Sequence, residues 1–339
     1  MKADRTRIGF IGAGNIASRH LGNLLGFDDV QVVGLADLQL DRAQQAASRC
    51  DATAYTDYNE MLDRERLDAV YVCVPPFAHG TPEAAVIERG LPFFVEKPLA
   101  SDLETAVEVA HRVRQRGVLT AVGYHWRYLD ITERAQTLLR ATPARLALGY
   151  WLDSTPPPAW WTQQARSGGQ MVEQTTHIFD LARLLVGEVT SVTAVAARSA
   201  RPGHPADDIA DVSVATLHFA SGALGSIAST CLLGWPHRIG LHFFGDGLAI
   251  ELSESELMID VGRGRPVHRA EGDPFVREDR DFVDAVRGRP NHIRVPYSEA
   301  LETHRLVTGA VRSAREGRCI TLRPETVGEA RNEESRDLV

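Results

Sequence analysis

The chain has 339 residues, more than one hydrophobic core usually supports, so two domains are expected. Hydrophobic residues make up 44% and charged residues 24%, a globular balance that excludes a largely disordered chain. The net charge of −8 provides no basic field for nucleic acid, and no apolar run approaches the ~18 residues needed to span a bilayer.

The N-terminus passes from a short charged stretch into an apolar, glycine-containing strand without a signal-peptide pattern, so a cytoplasmic protein is expected. Cys50, Cys73, Cys231 and Cys319 are scattered without framework spacing and read as reduced thiols. The histidines show no paired ligand spacing, so no metal is expected.

From Arg7 to Gly123, apolar runs of strand length alternate with amphipathic stretches. This predicts strands at 7–12, 30–37, 68–74, 92–96 and 118–123, with helices at 15–25, 40–50, 81–89 and 103–116. The pattern is that of a Rossmann domain over 1–123, a doubly wound parallel sheet whose ligand edge lies at the carboxyl ends of the strands.

After Tyr124 the pattern changes. A short helix at 131–140 leads to the loop STPPPAWW and then to a helix over MVEQTTHIFDLARLLVG. Strand patterns follow at 190–199, 211–220, 223–231, 238–245 and 256–261, then helices at 279–287 and 298–316, with a polar tail at 329–339. Residues 124–339 thus read as an α+β domain with a large, mostly antiparallel open sheet, and the whole chain as α/β.

The chemistry begins at Gly12-Ala13-Gly14-Asn15-Ile16-Ala17, a GxGxxA between strand and helix. Gly12 allows the tight turn, Gly14 lets a pyrophosphate approach the backbone, and the helix N-terminus at Asn15 and Ile16 offers amides and a positive dipole end. Asp37 ends the second strand, twenty residues beyond Ala17. It can accept from the adenosine ribose hydroxyls and repel a 2′-phosphate, which favours NAD, although Arg42 nearby leaves NADP open; it also fits an N-cap for the next helix. The third and fourth strands end in Val74-Pro75-Pro76, with His79 beyond, and in Glu96-Lys97-Pro98, all at the ligand edge.

Taken with VGYHWRY and GGQMVEQTTHIFD, these motifs closely resemble the glucose–fructose oxidoreductase/inositol 2-dehydrogenase (Gfo/Idh/MocA) family over essentially the whole chain. The resemblance implies that Lys97 reaches the substrate hydroxyl and nicotinamide ribose and takes part in proton transfer, and that the Lys97–Pro98 bond is cis, as in many relatives. It also implies that Tyr124 and Arg127 line the cofactor and substrate cleft; Arg127 could equally pair with a structural carboxylate.

Glu173, His177 and Asp180 are spaced four and three apart, on one face of a helix. As an acid–base unit, a neutral His177 with a pKa near 6.5 would take the alcohol proton. Asp180 would orient its ring or hold a second hydroxyl, and Glu173 would bind substrate or hold His177. A buried, hydrogen-bonded core histidine is the alternative. Glu173 departs from the aspartate more common in relatives, so their substrates cannot simply be copied. Trp160 and Trp161 suit the apolar face of a sugar, or core packing.

The expected activity is NAD-dependent oxidation of a secondary alcohol on a small polyhydroxylated substrate: a sugar, sugar acid or cyclitol. The expected assembly is a homodimer or homotetramer through the C-terminal sheet, as in relatives. Two rivals are an NAD-dependent glycoside hydrolase with an internal redox cycle, as some relatives are, and a non-catalytic cofactor-binding regulator.

Overall fold

The computed structural model describes residues 5–199 and 208–322. The alternating N-terminal pattern forms a six-stranded parallel sheet from β1 (Thr6–Ile11), β2 (Val30–Ala36), β3 (Thr53–Tyr55), β4 (Ala69–Val72), β5 (Phe93–Val95) and β6 (Thr120–Val122), in the order β3-β2-β1-β4-β5-β6. The crossovers carry α1 (Asn15–Leu24), α2 (Leu40–Ala47), α3 (Tyr58–Arg64), α4 (Thr81–Glu88) and α5 (Leu103–Arg116). Helices on both faces explain why β4 reads as an unbroken apolar run: all four of its residues are buried. The strand order reverses between β1 and β4, where a doubly wound sheet opens its crevice.

The second sheet has nine strands in the order β14-β13-β12-β11-β7-β10-β9-β8-β15. They are β7 (Leu146–Ser154), β8 (Val189–Ala197), β9 (Val212–Phe219), β10 (Leu224–Leu233), β11 (Arg238–Gly245), β12 (Leu248–Leu252), β13 (Glu256–Asp260), β14 (Val267–Arg269) and β15 (Ile320–Thr321). Only β7 and β10 pair in parallel. The mostly antiparallel sheet was expected, but its central β7 was not: LALGYWLDS lies where the pattern was read as connection. The remaining helices are α6 (Asp130–Ala141), α7 (Gln164–Ser167), α8 (Gln170–Glu173), α9 (Thr176–Val186), α10 (Pro274–Val286) and α11 (Tyr297–Glu316). Helices α6, α9 and α11 pack their apolar residues with the inner face of the sheet, as Ile131, Phe179 and Leu306 do with Val192, Leu217 and Phe243.

Two expectations are corrected. The stretch MVEQTTHIFDLARLLVG is two helices, because Gln174 and Thr175 separate α8 from α9, so Glu173 and His177 do not share a continuous helical face. The C-terminal chain also returns to the first domain. Phe282 and Val283 of α10 enter the core of Ile8, Phe10, Tyr71 and Phe94, and the Val122 amide donates to the Val295 carbonyl at 2.9 Å. The polar tail at 329–339 lies outside the described residues. Among those described, no helix is long and apolar enough to cross a membrane.

Candidate active site

The glycine turn is built as its spacing requires. Gly12 sits at φ +95°, and a Cβ there would fall 2.3 Å from the Cys73 carbonyl oxygen. Gly14 precedes α1 in extended conformation, and a Cβ on it would meet nothing within 4 Å, so the backbone is open to a ligand on that side. Asp37 braces the same turn: Oδ2 accepts from the Ala13 amide and Oδ1 from the Gln39 amide, each at 2.9 Å. It is not the N-cap of α2, which is Gln39. Each oxygen keeps a lone pair for a ribose hydroxyl. The open face of Gly14, the first turn of α1 at Asn15 and Ile16, and this carboxylate fit a dinucleotide with its pyrophosphate on the helix N-terminus. Val74 and Pro75 are half-buried beside the turn, and Val74 Cγ1 would touch a Gly12 Cβ at 3.4 Å.

Lys97 follows β5, and the Lys97–Pro98 peptide is cis, as the resemblance implies. It is one of only two lysines in the chain, with Lys2; every other fixed cation is arginine. An amine that can exchange its proton is thus placed at this position in a chain that otherwise uses guanidinium. Lys97 Nζ donates to the Glu173 backbone carbonyl at 3.0 Å and to Glu173 Oε1 at 3.3 Å. The other carboxylate oxygen, Oε2, accepts from Trp161 Nε1 at 2.6 Å. Glu173 is therefore a bracket between the ammonium and an indole.

His177, in the first turn of α9, is enclosed by aromatic rings. The centroids of His125, Tyr124 and Trp151 lie 4.9, 5.7 and 5.9 Å away, and Nδ1 is buried with no partner. Burial first, then the charges of His125 and Lys97, push its pKa well below the usual histidine value. The imidazole is thus neutral at physiological pH, and its value is not the unperturbed 6.5 the sequence suggested. The Lys97 ammonium, which reaches Glu173 four positions before His177, is the third cause of that depression.

Several other expected contacts are corrected, and for Arg127 and Trp161 the structure takes the alternative the sequence left open, an ion pair and core packing. Asp180 does not orient His177: its oxygens accept from Arg127 Nε at 2.7 Å and Nη2 at 2.6 Å, and from the Thr303 hydroxyl at 2.8 Å. Arg127 also reaches Glu299 at 2.9 Å and is 5% exposed, so it serves the buried ion pair rather than the cleft. Tyr124 is fully buried with its hydroxyl 2.8 Å from Thr176 Oγ1, and backs the His177 ring instead of facing substrate. The Trp161 indole is 1% exposed and packs with Ile209 and Cys231, so it holds Glu173 rather than offering a face to a sugar. His79 is enclosed, with Nδ1 2.5 Å from Glu83, and Pro76 is buried. The ligand edge at this strand is left to Val74 and Pro75.

Glu96 is 4% exposed and turns inward: Oε1 meets His20 Nε2 at 3.0 Å, and Oε2 accepts from the Lys97 amide at 3.1 Å. His20 Nδ1 meets Asp279 Oδ1 at 2.7 Å, and Asp279 also accepts from Asn23 at 2.8 Å and Tyr71 at 3.1 Å. Burial pulls the His20 pKa down, but Asp279 and Glu96 together overcome this and raise it well above the usual value. Glu278 has no partner on either oxygen, and burial pushes its pKa well up. Atoms of His20, Glu96 and Glu278 lie within 4.8 Å of one another, but a ring donating from both nitrogens has no lone pair for a metal. Sequence reasoning missed His20 and Asp279. The available signal was a histidine at an apolar position of α1, among the buried Ala17, Leu21 and Leu24.

A glycine cradle at a helix N-terminus, a ribose-facing carboxylate and an adjoining lysine–histidine pair define the class: a nicotinamide-dinucleotide oxidoreductase. The description "Oxidoreductase family, NAD-binding Rossmann fold" matches residues 6–124, and "GFO/IDH/MocA C-terminal domain" matches 142–251. The chain belongs to the GFO/IDH/MocA oxidoreductase family. It is 29% identical over 241 residues to myo-inositol 2-dehydrogenase of Thermotoga maritima, covering 69% of this chain and 71% of the relative. It is 28% identical over 248 residues to scyllo-inositol 2-dehydrogenase (NAD(+)) of Bacillus subtilis, covering 71% and 72%. Levoglucosan dehydrogenase in complex with NADH shares the fold at a TM-score of 0.83 and 20% identity, covering 94% of this chain and 99% of that one.

Proposed function

We propose that this protein reversibly oxidises a secondary alcohol on a sugar, sugar acid or cyclitol, with NAD preferred over NADP. The observation that carries the reading is the meeting of Lys97 with Glu173 at the break between α8 and α9, four positions before a neutral imidazole at His177. The cyclitol and anhydrosugar relatives support the substrate class. When bound, the nicotinamide supplies a hydride acceptor at C4. His177, kept neutral by its surroundings, accepts the hydroxyl proton. Lys97, held against Glu173, donates a hydrogen bond to the same oxygen as negative charge develops on it. Glu173, fixed by Trp161, keeps the ammonium in place and offers its remaining lone pairs to a neighbouring hydroxyl. The carboxylate of Asp37 underlies the preference for NAD.

The assay is NADH absorbance across a panel of cyclitols, aldoses and sugar acids, with Lys97→Met beside the parent protein. The variant is expected to lose at least about a hundredfold in kcat with NAD affinity little changed. Full turnover in the variant would remove Lys97 from the reaction, and a panel without any NADH production would overturn the reading.

The proposal extends to a cytoplasmic homo-oligomer. None of the four cysteines is in a disulfide, which suits a reducing compartment. The outer face of the large sheet carries Leu146, Leu224 and Phe244 in one cross-strand row and Val195 beside Val214 in another, all at least 36% exposed. A self-complementary face of this kind suits an isologous interface. Light scattering that returned the mass of a single chain would exclude it.

A further inference from the structure

We propose that His20, held between Asp279 and Glu96, is a positioning residue that ties Lys97 to the cofactor-binding helix. The inference rests on the reading of Lys97 as the group that contacts the reacting oxygen.

Four elements meet at this cluster directly behind the lysine: α1 brings His20 and Asn23, β4 brings Tyr71, the end of β5 brings Glu96, and α10 brings Glu278 and Asp279. An imidazolium with no solvent exposure is a poor way to gain stability, since well-packed apolar side chains of similar volume generally do as well or better. What the cluster does supply is direction. Glu96 uses its two oxygens separately, one on His20 and one on the Lys97 amide, so fixing the carboxylate also fixes the peptide from which the lysine side chain departs. A Cβ on Gly123 would lie 2.2 Å from Glu96 Oε1, which shows how closely β6 shuts the third side.

His20 lies five residues into α1, the helix whose first turn faces the pyrophosphate site. One rigid helix therefore carries both the phosphate-binding amides and the ring that restrains Glu96 and, through it, Lys97. The titratable groups facing the ring are Tyr71 from β4, Glu96 from the end of β5, and Glu278 and Asp279 from α10. Of these, only Asp279 and Glu96 hydrogen-bond to it. Asp279 is the larger of the two influences that keep His20 protonated, so removing its charge lowers the pKa of the ring.

The test uses the full chain labelled with 13C at lysine Cε. With only Lys2 and Lys97 present, the Lys97 signal is resolved without any substrate. In Asp279→Asn, the carboxylate that raises the His20 pKa most is gone, and the ring is expected to lose its proton at lower pH than in the parent. The Lys97 signal should then show a second inflection absent from the parent, and kcat should gain an alkaline limb, falling by about tenfold at pH 8.5 while KM for NAD changes by less than about threefold. A purely structural role would lower the melting temperature and leave the Lys97 titration unchanged.

His20→Gln removes the ring and its charge. It serves if Asp279→Asn does not fold, with a displaced Lys97 signal and a kcat lowered by about tenfold expected. A folded variant with a parental Lys97 signal and parental kcat through pH 9 would overturn the inference. That outcome leaves the role of Lys97 intact, whereas turnover by Lys97→Met would strike that role alone.

Discussion

Gly123→Ala is the smallest change that addresses the site. Gly123 follows β6 at no positive φ, so alanine meets no backbone objection, and the whole effect comes from one methyl group. That carbon would lie 2.2 Å from Glu96 Oε1 and 2.7 Å from Cδ, against an ordinary carbon–oxygen contact of about 3.3 Å, so the carboxylate must retreat by about 1 Å. A surface glutamate would swing aside. Glu96 is held at 3.0 Å by His20 and 3.1 Å by the Lys97 amide, and any retreat lengthens at least one of these bonds beyond hydrogen-bonding distance. Overpacking of this kind costs about 1–3 kcal/mol, and the loss of unfolded-chain freedom on replacing glycine returns about 0.4–1 kcal/mol. A net loss of about 1–2 kcal/mol is expected in urea unfolding. A displacement of about 1 Å at a reacting group lowers turnover on the order of a hundredfold, so kcat should fall by that factor. NAD affinity, read by fluorescence, should change by less than about threefold, because Gly12, Gly14 and Asp37 are untouched. A G123A protein with parental kcat and stability would show that Glu96 yields freely and that its placement does not matter to Lys97.

Two pH effects follow from the histidines. His125 is the second cause, after burial, of the depressed His177 pKa, so His125→Gln should raise that value and move the acid limb of kcat/KM to higher pH, still below about 6.5 because burial remains; a limb that stayed in place or moved to lower pH would count against the assignment of His177 as proton acceptor. His304 is buried, with its pKa lowered to about 4, so the unfolded chain takes up its proton first as pH falls through about 6.5. The stability tied to neutral His304 is complete above that pH and drains away towards pH 4, by about 3 kcal/mol. Urea midpoints at pH 7.5 and 4 should show this loss, and His304→Gln, whose amide can still donate to the Asp102 carbonyl, should lessen it.

The parts of the site legible in the sequence were those fixed by local geometry. A GxGxxA turn needs glycine because a Cβ at Gly12 would strike the Cys73 carbonyl, and Asp37 sits where β2 ends, so motif and contact coincide. The errors came where helical spacing stood in for three-dimensional partners. Glu173, His177 and Asp180 read as one face, but the chain breaks at Gln174 and Thr175, where the Thr175 hydroxyl meets Ser229 of β10 at 2.9 Å. Helical spacing put Asp180 in the site, and the resemblance put Arg127 in the cleft with a structural ion pair as the equal alternative; that pair is what forms, under α11. No spacing rule links residues 53 positions apart, so such a pairing is invisible until the domains are packed. Strand β7 escaped notice for a related reason. Its inner positions, Ala147 and Gly149, are too small to give a strong alternation, and Gly149 is small because a Cβ would fall 2.5 Å from Ile178 and 2.6 Å from Leu241.

The same packing argues against treating residues 1–123 as a self-sufficient unit. The sheet they form leaves Phe10, Tyr71 and Phe94 in one aromatic stack, with centroids 5.0 and 4.9 Å apart, and the ring that closes it is Phe282 of α10, edge-on to Tyr71 at 5.5 Å and to Phe94 at 5.8 Å. His20 would retain Glu96 but lose Asp279, the carboxylate that raises its pKa most. The pKa of the ring would then fall. A dinucleotide domain cut after β6 would therefore lose an apolar lid and the charge that restrains the catalytic loop together. In this chain, the helix that completes the cofactor domain is also the helix that disciplines its lysine.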